Sequence, residues 1–163
     1  MPSTSTLSIP ARALLLGAFS GARSATPLAV LALAHDRRAI SGSWQRWRLF
    51  ASPIGRGVLL SAALGELVAD KLPVTPSRLG RGALIGRAVS GAVAGLAIGT
   101  SGGRRVSGLQ TAALGAAGAL VGSYAGYLGR RALGLVSGLP DPVVALVEDA
   151  VAIGGAAIVV TAD

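Results

Sequence analysis

LLGAFSGARSATPLAVLALA, residues 15–34, is the stretch whose reading decides the fold. A run of about 20 apolar residues is enough to cross a bilayer. Yet Arg23 lies near its middle, followed by Ser24, Thr26 and Pro27. A cation is costly in hydrocarbon, and proline removes a helical amide. Thr26 is a good N-cap and Pro27 a good first helical residue. One reading starts a half-helix at Thr26-Pro27 after a break at Gly21–Ala25. The other keeps a single kinked helix that turns Arg23 toward the interior. The residues leave both open.

The whole composition argues for a bilayer. Of 163 residues, 52% are hydrophobic and only 13% charged, with 24 glycines and few aromatics. An ordinary soluble domain carries about a quarter charged residues. Glycine weakens soluble helices but lets membrane helices approach closely. The net charge of +8 comes mostly from arginines at the ends of apolar runs. There they meet headgroups, so no nucleic-acid partner is expected. Cysteine is absent, and His35 alone builds no metal site. No cofactor is expected. A signal peptide is disfavoured by Arg23 inside the apolar run.

The chain reads as all-α: a polytopic transmembrane helical bundle of about five spans. Residues 1–10 read as a disordered N-terminus and 11–163 as one transmembrane domain. The spans are expected near Ala11–Ala34, Pro53–Leu72, Leu79–Thr100, Gly108–Leu128 and Pro142–Val160. Ser52-Pro53, Thr75-Pro76 and Asp141-Pro142 repeat the cap-plus-proline helix start. WQRWRLF, residues 44–50, has the arginine–tryptophan composition of a bilayer interface and is expected to lie on the headgroups.

Small residues recur every four positions. Gly82, Gly86, Ser90 and Ala94 form one row, and Gly91, Gly95 and Gly99 a second beside it. Gly115, Gly118, Gly122, Gly126 and Gly129 line the following span. Such rows make flat faces for tight helix packing. GAxxG at Gly17–Gly21, Gly91–Gly95 and Gly118–Gly122, with LVxD at Leu67–Asp70 and Leu146–Asp149, raises the expectation of an inverted repeat, spans one and two matching four and five with span three as the odd connector.

GARSATPLA (21–29), GELVADKLPVTPSR (65–78), GRAVSGAVAG (86–95) and ALVEDAVAI (145–153) together resemble a family of small bacterial membrane proteins, the one catalogued as domain of unknown function 4126. The resemblance runs from about Leu14 to Val160. It implies a helical, multi-pass protein of the bacterial inner membrane and supplies no activity.

The candidate polar site within the membrane is Arg23, Glu66, Asp70, Glu148 and Asp149, and the wider candidate set adds Lys71 and Arg87. Glu66 and Asp70 share a helix face, whereas Glu148 and Asp149 point about 100° apart. Intramembrane charges usually pair and face inward. Arg23 is expected opposite Glu66 and Glu148, with Asp70 and Asp149 secondary. The functional expectation is a small transporter or channel-like protein for an ion, a proton or a small charged solute. The alternative is a structural or scaffold membrane protein whose charges only fix helix packing. No HExxH, GxSxG or phosphate loop is present, so no enzyme is expected. Expected partners are membrane lipids and a second copy of the chain.

Overall fold

Ser8 starts the first helix. Its hydroxyl accepts from the Ala11 amide at 3.4 Å, and Pro10 sits in the first turn. In the computed structural model, which describes residues 7–69, 79–101, 106–137 and 141–161, α1 then runs Ile9–Ala22. Arg23 takes extended backbone (φ −141°, ψ 107°), and α2 begins anew at Thr26–Leu33. The apolar 20-mer is therefore broken, not kinked. Two 3₁₀ turns, Arg38–Ile40 and Ser43–Arg46, lead to α3 (Arg48–Ala51). Four longer helices follow: α4 (Pro53–Ala69), α5 (Arg81–Gly99), α6 (Gly108–Ser137) and α7 (Asp141–Thr161). Among the described residues every regular element is helical.

The break reverses the chain. Gly17 of α1 lies on Gly115 of α6, and Gly21 on Ala119 and Ser123, so α1 and α6 run parallel. Gly91 meets Gly115 while Gly95 and Gly99 meet Thr111, so α5 and α6 run antiparallel. α1 thus leads away from the end of the bundle where α5 finishes. α2 leads back to that end. Its starting turn is bonded to Ser90, in mid-α5, and the loop after it reaches the α5 terminus: the Trp44 amide donates to Thr100 Oγ1 at 3.3 Å and Ser101 Oγ to the Ile40 carbonyl at 2.7 Å. α1 and α2 form a helical hairpin whose tip is Arg23–Ala25. Its arms, 14 and 8 residues, are about 21 Å and 12 Å long, short of a hydrocarbon core of about 30 Å.

Of the five expected spans, the first is divided into two short helices. Among the described residues two helices are long and apolar enough to cross a membrane, Arg81–Gly99 and Val143–Thr161, and the first expected span is not one of them. The inverted repeat also fails as drawn. α1 and α6 share a direction, while α4 leaves the end that holds the Trp44 loop and α7 returns to it. One inversion cannot relate both pairs.

Close approach explains two glycines at the α1–α6 crossing. A Cβ at Gly17 would fall on the Gly115 carbonyl, and one at Gly122 on the Ala18 carbonyl, so no side chain fits either place. The row Gly91, Gly95, Gly99 packs as expected on α6. In the neighbouring row Gly82 and Gly86 face open space, while Ser90 and Ala94 are buried.

The loop after α2 closes the end of the bundle. Trp44 is fully buried, stacks edge-on against Phe50 with ring centres 5.0 Å apart, and donates its indole N–H to the Ile40 carbonyl at 2.8 Å. The expectation that 44–50 lies on headgroups therefore fails for Trp44. Its N–H finds a partner inside the protein, which makes burying the ring favourable. Large apolar side chains remain exposed along the outer faces: Ile54 and Val58 on α4, Ile85 and Val89 on α5, Leu146, Val151 and Ile158 on α7.

Candidate functional site

The hairpin tip is where α4, α5, α6 and α7 converge, and each supplies a polar group to it. A chain reversal deep in an apolar bundle strands backbone amides and carbonyls, which cost several kcal/mol each if left unpaired in lipid. Here they are taken up. The Arg23 amide closes α1 on the Phe19 carbonyl at 2.9 Å. Glu66 of α4 accepts three bonds: Oε1 from the Ser24 amide and hydroxyl, both at 2.8 Å, and Oε2 from the Ala25 amide at 2.9 Å. Ser90 of α5 donates its hydroxyl to the Ser24 carbonyl. Ser123 Oγ of α6 lies 3.2 Å from the Gly21 carbonyl oxygen and 2.8 Å from that of Ala119.

Glu66 does the capping that the sequence assigned to Thr26. Thr26 lies inside α2, and Ala25 occupies the N-cap position without a side-chain bond. A carboxylate at the start of a helix also meets the positive end of the helix dipole. The cap thus comes from a residue forty-two positions along the chain.

Arg23 itself is fully buried, and its guanidinium pairs with Asp149 of α7, also buried. This reorders the expected partners. Asp149, ranked secondary, holds Arg23. Glu66 holds the backbone beside it. Glu148 reaches α6 instead, with Oε2 3.5 Å from Arg130 Nη1. The 100° between neighbouring helical positions sends the two acids to different helices. Asp70 and Lys71 lie outside the described residues. Arg87, one turn before Ser90 on α5, is buried.

Ser24, Ser90, Ser123 and Arg130 were not among the sequence candidates. Ser90 did stand in a small-residue row, where a hydroxyl among glycines and alanines was the available signal. A similar row marks Asp149: Ala145, Ala152, Ala156 and Val160 fall on one helix face with it, and all are buried.

Chemically, the tip combines a tightly enclosed ion pair with a half-exposed carboxylate seated on two backbone amides. The first is suited to holding helices in register. The second is a carboxylate in the position any small anion would take at a helix start.

No curated protein and no solved structure matches the chain. A family model does, over residues 11–162, nearly its whole length. The chain belongs to the family described as Domain of unknown function (DUF4126).

Proposed function

We propose that the protein is a multi-pass integral membrane protein of the bacterial inner membrane. In it the re-entrant tip forms a pathway element for a proton, an ion or a small charged solute. The lipid placement is supported by the apolar outer faces, the low charge content and glycine-mediated packing. The observation that carries the transport reading is Glu66 on the Ser24 and Ala25 amides. Protonating that carboxylate weakens its hold on the two amides, and displacing it by an external anion frees both as aligned donors at depth. A carboxylate in such a place is the kind of group that couples solute movement to protons.

The rival reading is a scaffold whose charges only fix packing. The enclosed Arg23–Asp149 pair favours it for those two residues. Proton and small-anion flux into proteoliposomes separates the readings. The transport reading expects flux in the wild type and about a hundredfold loss or more in folded Glu66→Gln, the scale of one essential acid–base group. Absence of flux from every arm with folded wild-type protein leaves the scaffold.

A further inference from the structure

At the capped end of the bundle, Arg46, Arg48, Ala51, Ser52 and Ile54 line an open cleft of about 540 Å³. We propose that this cleft binds the phosphate of an anionic phospholipid, with the lipid's acyl chain laid along α4.

Three features converge on that ligand. Arg46 and Arg48 are exposed, both line the cleft, and among the described residues neither forms an ion pair. Arginine suits phosphate because its planar fork donates two parallel bonds. The cleft also takes in the start of α4. Ser52 Oγ accepts from the Gly55 amide at 2.9 Å, and the positive end of a 17-residue helix adds to the field. The far wall is not polar. Ile54 is 82% exposed, and Val58, one turn on, is 57% exposed. A soluble phosphate has no use for that ridge, whereas an acyl chain hanging from a phosphate fits it. Negative charge and hydrocarbon in one molecule define an anionic lipid. The net charge of +8 favours the same partner over a zwitterionic one.

This inference rests on the membrane placement proposed above, but not on transport. Trp44 and Trp47 are the chain's only tryptophans, and Trp47 falls between the two arginines in sequence. Full-length protein is reconstituted with brominated phosphatidylglycerol or brominated phosphatidylcholine at equal mole fraction, and tryptophan quenching gives relative lipid affinity. The expected result is preference for the anionic lipid, reduced about 25-fold in Arg46→Gln/Arg48→Gln, or roughly fivefold per arginine. Arg37→Gln/Arg38→Gln removes two exposed charges of the same loop outside the cleft, and is expected to keep most of the preference. Equal quenching by both lipids overturns the site. So does equal loss in the two double variants, which reduces the effect to general surface charge. Abolition of the preference by millimolar inorganic phosphate assigns the cleft to free phosphate instead. Absence of quenching by either lipid contradicts the membrane placement itself, and so tells its failure from that of the cleft.

Discussion

Arg23→Ala is expected to destabilise the protein by about 3–5 kcal/mol, the usual cost of stranding one member of a buried ion pair. The guanidinium and the Asp149 carboxylate are both enclosed, so deleting the cation leaves an acid with no solvent to hydrate it. The double variant Arg23→Met/Asp149→Leu replaces the pair with apolar bulk and is expected to recover most of that loss. Thermal unfolding followed by circular dichroism in detergent reads both. Arg130→Ala serves as the comparison: its pair with Glu148 is longer, 3.5 Å, and less enclosed, so it is expected to lose less. Equal losses from Arg23→Ala and from the double variant would show that the pair is not what fails.

Gly122→Leu is expected to abolish folding of the bundle, and Gly122→Ala to cost about 1–3 kcal/mol, the range for overpacking a filled interior. The obstacle at Gly122 is backbone: a Cβ there lands on the carbonyl, carbon and Cα of Ala18. Side chains can rotate away, but a helix backbone has to move as a whole. Gly86 supplies the contrast within the same protein, since a Cβ there meets nothing within 4 Å. Gly86→Ala is expected to be neutral or to stabilise by about 0.5–1 kcal/mol, because alanine restricts the unfolded chain and glycine does not. The same detergent melts check both, with monomer recovery on size exclusion as a second readout.

The helical class and the extents of α5 and α7 were legible because each is one apolar run between turn residues. The hairpin was not. Residues 15–34 have the length and hydropathy of a spanning helix, and the residues there allow either a break at Gly21–Ala25 or a single kinked helix. Whether the chain goes on or turns back after a break is decided elsewhere, by Trp44 and Ser101 tying the following loop to the end of α5. Local sequence carries no trace of that bond.

The candidate acids were recognisable as ionisable residues in apolar surroundings, but their assignment was not. Choosing between Glu148 and Asp149 requires the rotation of α7, which the buried row Ala145, Ala152, Ala156 and Val160 records. Glu66 was read as a charge partner because acids near arginines usually are. Its role on the Ser24 and Ala25 amides follows from a need the sequence does not display, the unpaired backbone of a reversal inside an apolar bundle. Trp44 was misplaced for a related reason. Arginine–tryptophan composition describes an interface on average, whereas a single carbonyl at Ile40 decided this ring.

The hairpin is the feature on which the site depends, and the absence of cysteine makes it directly testable. Single cysteines at Ser8, Ser41 and Ser107, all exposed, are labelled with an impermeant maleimide in sealed vesicles, alongside cysteines at Arg81 and Leu135 near the opposite end. With the proposed membrane placement, the hairpin predicts that the first three react from one side of the membrane and the last two from the other. Ser8 and Ser41 reacting from opposite sides would mean that residues 15–34 cross the bilayer, and the hairpin would be wrong.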